Sequence, residues 1–503
     1  MARYKHTDAE DGQGMFLSLN LKEQLLSGTF EYMLNDLIRN KIDISLFDDN
    51  YKNDNTGSKA IPPAVLIKLI IYGYSKGIKS SRGLAELAEK NITAKALTGD
   101  IEPHWTTIAN FISTNHKKFQ EIFIKVLAYC VELELVGGET FAIDGCRLPS
   151  NASIEMSGTK KELEKKLGLY RKMAERHTAK HRRQDECGGV DKETAFLFQE
   201  RQKKLNRQIE KIGSFLEQME QKEGWNGKEL KSNVTDNESA MIKSSSGFLQ
   251  GYIGIAISDK QNQIIINAEA VGSTHEGEHF PKIIDNTLDN MKKASVKIPD
   301  EKNLTVLMDS NYFSEENLKK CQEAGIEAII PDKKYRKRQK NKDELFYEPS
   351  DFKYYEDENY YECPNGKIIV YKKTIVLSGK ELDQYKANLT DCRACPLNTK
   401  CIKTKKEMSA LFRGRILLVS KSKKVENLCS EMIKKFNTEE YQDKYAYRIQ
   451  IVEPVFANIK YCKGLDSFTL RGSRKVNGQW KLYCIMHNLS KCIDKYNKKR
   501  EYA

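Results

Sequence analysis

The feature that most constrains this chain is an interruption. An apolar, strand-like run, Thr140-Phe-Ala-Ile-Asp144, is cut off from further such runs at 252–257, 264–271 and 304–308 by a long, nearly all-charged stretch. That stretch, from about residue 159 to 224, repeats its apolar residues at helical rather than strand spacing. Leu163, Leu167, Tyr170 and Met173 form one stripe. Phe198, Leu205, Ile209, Ile212, Leu216 and Met219 form a second with coiled-coil spacing, and Gly188-Gly189 lies between them. The pattern predicts an antiparallel helical hairpin projecting from a sheet. Helical stretches at 278–291 and 315–324 then alternate with the later strands, and a short strand at 327–330 precedes Pro331. The order gives an α/β fold class with an insertion after its first strand.

Before Thr140 the texture is helical. Leu66, Leu69, Ile70 and Gly73, then Leu84, Leu87 and Ala88, then Ile108, Phe111 and Ile112 share faces at i, i+3 and i+4 spacing, which predicts a bundle of short helices over 21–135. Ser80 and Ser81 suit a helix cap, and Pro103 followed by His104-Trp105-Thr106-Thr107 suits the start of another helix. Two readings stay open here: a helix-turn-helix offering the segment from Thr106 to Asn115 to DNA, or a structural or dimerising bundle.

With 503 residues the chain exceeds what one growing core accommodates, so two to four units are expected. Its 83 Lys and Arg against 70 Asp and Glu leave a formal charge of +13, which favours a polyanionic partner, nucleic acid ahead of anionic membrane. No run approaches the roughly 18 apolar residues that span a bilayer, and the opening residues lack a signal-peptide core, so a cytoplasmic protein with no membrane partner is expected. For the 12 cysteines this implies reduced thiols and one candidate metal site. Cys363, then Cys392-Arg-Ala-Cys395 and Cys401, has the C-x₂-C spacing of a structural Zn²⁺ knuckle, with free thiols as the alternative. His275 and His279 read as surface histidines at a helix start rather than ligands, and Lys180-His-Arg-Arg183 as solvated charge.

Three acidic positions carry the chemistry. Asp144 ends the first apolar run and is followed by Gly145-Cys-Arg-Leu-Pro-Ser-Asn151; Asp309 ends Val-Leu-Met-Asp and is followed by Ser-Asn-Tyr-Phe-Ser-Glu-Glu-Asn317. Strand ends are where ligand sites gather in open α/β sheets. Near the C-terminus the chain reads Tyr445-Ala-Tyr-Arg448-Ile-Gln-Ile-Val-Glu453-Pro-Val-Phe-Ala-Asn-Ile-Lys460. These segments, with the preceding helical region, the Thr235-Asp236 segment leading to Gly251-Tyr252 and the Cys-rich stretch, resemble the DDE transposases of bacterial insertion sequences over about residues 20–495. Tyr445, Arg448, Glu453 and Lys460 match that family's Tyr–Arg–Glu–Lys signature in order. Four residues separate Arg448 from Glu453, one more than the commonest spacing, so the helix face they share is open.

The resemblance implies a ribonuclease H-like catalytic core (137–158, 225–345 and the helical 426–503, which carries the Glu), an all-helical N-terminal domain (1–136) that binds DNA or dimerises, the hairpin insertion (159–224) and a small Cys-rich subdomain (346–425). It implies a transposase that cleaves transposon ends and transfers strands into target DNA. Asp144, Asp309 and Glu453 would hold two Mg²⁺ or Mn²⁺ ions, Asp144 bridging them. Oxygen ligands suit such ions, and a two-ion site stabilises both the attacking and leaving oxygens of phosphodiester exchange. Tyr445, Arg448 and Lys460, with Lys334, Arg336 and Arg338 after the second Asp, are the expected contacts to DNA phosphates. The expected partners are double-stranded terminal inverted repeats, target DNA and further copies of the chain in a homodimer or larger assembly. A silent DNA-binding derivative and a nuclease of the same fold are the competing readings.

Overall fold

The computed structural model describes residues 20–501 except 52–58, 187–190, 224–226, 228, 245–246, 299–303, 336–345, 348, 378–379, 403–413 and 421–427. The first part is helical: α1 (Phe30–Asn40), α2 (Pro63–Ser75), α3 (Ser81–Lys90), α4 (Ile92–Thr98), α5 (Trp105–Thr114) and α6 (His116–Glu132). Side chains that accept from the first free N–H groups start several of them: Thr29 caps α1, Ser80 caps α3 and Asn91 caps α4. Helix α2 is buried from Val65 to Tyr74, so it is the central member of the group. Gly73 is required there, because a Cβ would collide with Leu84 of α3. The segment considered for DNA reading, α5, buries Ile108, Phe111 and Ile112 and presents Trp105 and Asn110 outward, with the Arg82 guanidinium 4.9 Å from the Trp105 ring.

A mixed sheet follows. Its strands are β1 (Thr140–Pro149), β4 (Ala240–Ser244), β5 (Gly247–Asp259), β6 (Ile265–Val271), β7 (Leu304–Leu307) and β8 (Ile326–Ile329), and short β2 (Ser157–Gly158) pairs separately with β3 (Ser232–Asn233). The order is β4-β5-β1-β7-β8, with β6 also on β5. Strand β5 runs antiparallel to β1, β4 and β6, whereas β1–β7 and β7–β8 are parallel. Parallel neighbours need crossovers, supplied by α9 (Phe280–Lys293) and α10 (Glu315–Glu323). Between β2 and β3 the chain leaves as α7 (Lys160–Glu186) and returns as α8 (Lys192–Gln218). The two helices pack on each other and, at their base, Met156, Leu163 and Ile212 form a small core. The Gly188-Gly189 turn lies outside the described residues.

Two differences from the sequence expectation follow from pairing. Asp144 does not end β1: the strand continues to Pro149 because β5 pairs with it along its whole length, and only its pairing to β7 stops at Ala142. The Cys-rich stretch is not merely a knuckle but a five-stranded antiparallel sheet, β13-β12-β11-β10-β9, from β9 (Lys353–Tyr355), β10 (Tyr360–Glu362), β11 (Ile368–Leu377), β12 (Lys380–Ala387) and β13 (Ile416–Ser420). Two short helices, α11 (Leu389–Arg393) and α12 (Asn398–Cys401), carry Cys392 and Cys401, and Cys395 lies between them.

The chain closes with α13 (Leu428–Phe436), α14 (Glu439–Ala457) and α15 (Ser473–Glu501). Helix α15 packs on α6, α2 and β6. Its Trp480 is fully buried over Gly254, where any side chain would crowd the indole, and its N–H donates to the Ile255 carbonyl at 3.0 Å. Tyr483 stacks on Tyr74 at 4.2 Å. One apolar core therefore runs from Met33 and Leu66 through Ile143 and Ile255 to Trp480 and Leu489, joining the first helices to the sheet. Among the described residues no helix is long and apolar enough to cross a membrane.

Candidate active site

The register of two parallel strands builds the centre. Thr140 faces Thr305, Phe141 faces Val306 and Ala142 faces Leu307. Two residues beyond the last pair stand Asp144 and Asp309, on the same side of the sheet as Ala142 and Leu307 because strand side chains alternate. A carboxylate from each of them, and one from Glu276, lie within 4.8 Å of one another. Glu276 arrives from the loop after β6, immediately before a 3₁₀ turn, Gly277–His279. Two glycines permit the approach: a Cβ on Gly145 would collide with Glu276 Oε2, and one on Gly277 would collide with the Asn311 carbonyl.

Asn311 ties the loops together. Its Nδ2 donates to Glu276 Oε1 at 3.0 Å and to Asp309 Oδ2 at 3.0 Å, while its backbone N–H donates to Asp309 Oδ1 at 2.8 Å. Asn317 Nδ2 donates to the carbonyls of Gly277 and Tyr312 at 3.1 and 2.9 Å. Asp144 is held by Arg448 of α14, whose Nη2 lies 2.8 Å from Asp144 Oδ2, and by the Gly145 N–H at 2.9 Å. Three buried polar atoms here have no hydrogen-bond partner among the described residues: Glu276 Oε2, the Tyr312 hydroxyl and Arg448 Nε.

The electrostatics follow from this crowding. Burial raises the Asp144 carboxyl above its ordinary range; Arg448 and the Gly145 N–H oppose that, and Asp309 adds to it. Burial, reinforced by Asp309 and Asp144, pushes Glu276 up to about 7. Tyr312 is driven well above its ordinary value by burial and by the same three carboxylates. Three acidic groups thus share one site in which, among the described residues, the Arg448 guanidinium pairs with Asp144, and their mutual repulsion is relieved by protonation or by a further cation. An all-oxygen donor set suits a hard divalent ion.

Helix α14 brings other expected residues. Arg448 is buried and reaches the centre. Tyr445 is half-buried against Phe436 at 5.1 Å between ring centres. Glu453 follows Arg448 by five residues, which at 100° each places it about 140° round the helix. It is exposed and is not part of the carboxylate group. Pro454 lacks the N–H that would bond the Gln450 carbonyl, and Gln263 Nε2 donates to that carbonyl at 2.9 Å instead. The helix then widens into a π turn, Asn458–Cys462, containing Lys460. Burial lifts the thiol of Cys146 on β1 to about 12, opposed by the Lys460 charge, and the Lys460 ammonium lies 5.8 Å from the Tyr461 ring centre. Lys334 is exposed at the turn after β8, and Arg336 and Arg338 lie outside the described residues.

Asn311 and Tyr312 are not singled out by sequence reasoning, and Glu276 enters it only with Glu278 between His275 and His279, as a metal site set aside in favour of surface histidines at a helix start. His275 is exposed, while burial lowers the His279 imidazole pKa. The one faint signal was a carboxylate followed directly by glycine, as at Asp144-Gly145.

The four cysteines form a second cluster. Cys363, Cys392, Cys395 and Cys401 line one small cavity of the inserted sheet. Backbone N–H groups of Lys367 and Arg415 donate to the sulfurs of Cys363 and Cys392 at 3.3 and 3.5 Å. Burial raises Cys392, and Cys401 to about 11; the neighbouring cysteines raise both further. No three of these sulfurs lie within 4.8 Å of one another, so the tetrahedron is not closed.

A mixed sheet that gathers three carboxylates beside the Arg448 guanidinium defines an α/β protein with an acidic cluster that could hold a metal ion. Comparison with protein families then narrows the class: residues 362–493 match the model of a transposase DDE domain, and residues 19–114 match a second model, Transposase domain (DUF772). Together they support a DDE transposase of the insertion-sequence type. The matched segments include Arg448, Glu453, Lys460 and all four clustered cysteines, while Asp144, Glu276 and Asp309 lie between them. No curated protein and no solved structure matches the chain.

Proposed function

We propose that the chain cleaves DNA at the ends of a mobile element and joins the freed strands to target DNA, using a ribonuclease H-like core. The observation that carries this reading is the β1–β7 register that sets Asp144 beside Asp309, in a chain flanked by transposase family matches. Asp144 and Asp309 would hold divalent Mg²⁺ or Mn²⁺, with Glu453 the third carboxylate that the family resemblance implies. Bound there, the ions would activate a water and then a 3′ hydroxyl and stabilise the leaving oxygen.

The chain's own groups do the rest. Arg448 holds Asp144 oriented and neutralises part of its charge; Lys460, on the π turn that follows α14, and Lys334 attract the backbone phosphates that flank the scissile bond. Tyr445, about one turn before Arg448 on α14, packs on Phe436 of α13. The N-terminal helices would bind DNA or a second copy of the chain, since two element ends must be paired. Cys363, Cys392, Cys395 and Cys401 would hold a structural Zn²⁺ bracing the inserted sheet, to which their donor type and common cavity are suited. Incubation with Mg²⁺ or Mn²⁺ and the terminal inverted repeats beside the coding region is the test. Joined products support the proposal; hydrolysis alone would make it a nuclease, and binding without cleavage a silent derivative.

A further inference from the structure

We propose that Glu276 is a ligand of the divalent ion, completing with Asp144 and Asp309 a binding site that exists before DNA arrives. The inference rests on the metal-dependent reading above and deepens it by assigning a ligand from outside the Tyr–Arg–Glu–Lys segment.

Three observations carry it. First, the carboxylate oxygens of the three residues already lie within 4.8 Å of one another, a span that one ion can bridge. Second, Glu276 is only 6 % exposed, yet its Oε2 has no hydrogen-bond partner among the described residues. A buried carboxylate oxygen without a donor is costly, and a cation in the cluster satisfies it. Fully buried Tyr312 leaves its hydroxyl without a partner in the same place, as expected where a metal-bound water belongs.

Third, the surroundings fix Glu276 toward the cluster rather than toward solvent. Gly145 and Gly277 allow the close approach of its loop to β1 and to the turn after β7. Asn311 holds the other carboxylate oxygen, Oε1, and Asp309 with one amide, leaving Oε2 free on the side of Asp144. An open cleft bordered by Arg147, Lys243, His275, Glu276 and Asn311 leads to the site and gives phosphates a basic approach. Glu453, in contrast, is exposed on α14 and outside the cluster. Glu276 thus holds the ion in the free protein, and any contribution from Glu453 belongs to the DNA-bound state.

The test is Mn²⁺ binding to the full chain without DNA, read from the electron paramagnetic resonance of free Mn²⁺. Glu276→Gln should weaken binding at least about tenfold while its thermal melt stays cooperative, as Asp144→Asn also should. Undiminished binding by Glu276→Gln alongside a loss in Asp144→Asn overturns the assignment and leaves the proposed function standing. No Mn²⁺ bound by the unmodified chain overturns the inference that the site is complete before DNA arrives and leaves the proposed function, whose ions can enter together with DNA, standing. A second measurement needs no variant: Fe²⁺ with ascorbate and peroxide cuts backbone next to bound ions. Cuts near residues 144, 276 and 309 are expected; cuts near 144, 309 and 453 with none near 276 refute the role of Glu276.

Discussion

The two candidate metal clusters are built in opposite ways. Asp144 and Asp309 are set by the hydrogen-bond register of a buried sheet, and their carboxylate oxygens converge within 4.8 Å. The cysteines sit on two short helices and a turn around one cavity of a smaller sheet, and their sulfurs remain apart. A site framed by strand register is organised by the fold and can exchange its ions without unfolding. A site framed by turns needs its ion to finish folding. The difference predicts that metal removal silences the first and melts the surroundings of the second.

The largest effect expected is on chemistry. Asp144→Asn or Asp309→Asn should lower DNA cleavage by about 10³-fold or more, equivalent to over about 4 kcal/mol of transition-state stabilisation, with little change in the thermal melt. Equal losses of activity and of folding would break the contrast. Next is the cysteine cluster: Cys392→Ser with Cys395→Ser should remove about one Zn²⁺ per chain by atomic emission and strip amide-exchange protection from β10–β13, while protection in β1 and β7 persists.

A third prediction concerns the support of α14. His487 of α15 is buried; one ring nitrogen meets Asn458 Nδ2 at 2.9 Å and the other the Gln263 carbonyl at 3.0 Å, and Gln263 in turn bonds the carbonyl freed by Pro454. Burial lowers the His487 pKa to about 4. Because the folded state binds this proton less readily than the unfolded chain, the stabilisation is present above pH 6.5 and is lost as the pH falls toward 4. The loss is about 3 kcal/mol, and His487→Gln should flatten it in denaturant melts across that window.

Smaller still, Gly145→Ala keeps every charge but inserts a methyl against Glu276 Oε2 and Ile253, so it should cost about 1–3 kcal/mol of stability and loosen Mn²⁺. Smallest, Lys334→Ala should reduce the slope of log affinity for DNA against log salt by about 1 without altering end preference.

Legibility followed from how local each signal was. The apolar runs before Asp144 and Asp309 are contiguous in sequence, and both became neighbouring strands of the sheet. The stripes around Leu163 and Ile212 became packed helices because a period near 3.6 is itself the geometry. Glu276 carried no periodic signal: its place depends on two glycines that allow loops far apart in sequence to touch. The continuation of β1 beyond Asp144 was hidden for a similar reason, since its partner β5 lies beyond the whole hairpin. The inserted sheet was less legible because it mixes apolar strands, Ile368–Leu377 and Ile416–Ser420, with strands such as Lys-Glu-Leu-Asp-Gln-Tyr-Lys-Ala that are mostly polar; Tyr361, Ile369 and Tyr385 supply much of its core. The position of Glu453 turned on one extra residue after Arg448, a rotation that spacing exposes and only packing resolves.

Anomalous diffraction from Mn²⁺-soaked crystals tests the register-built centre most directly. The expected result is a peak about 2.1 Å from carboxylate oxygens of Asp144 and Asp309. Strong Mn²⁺ density elsewhere on the chain, with those two side chains left unliganded, would contradict it.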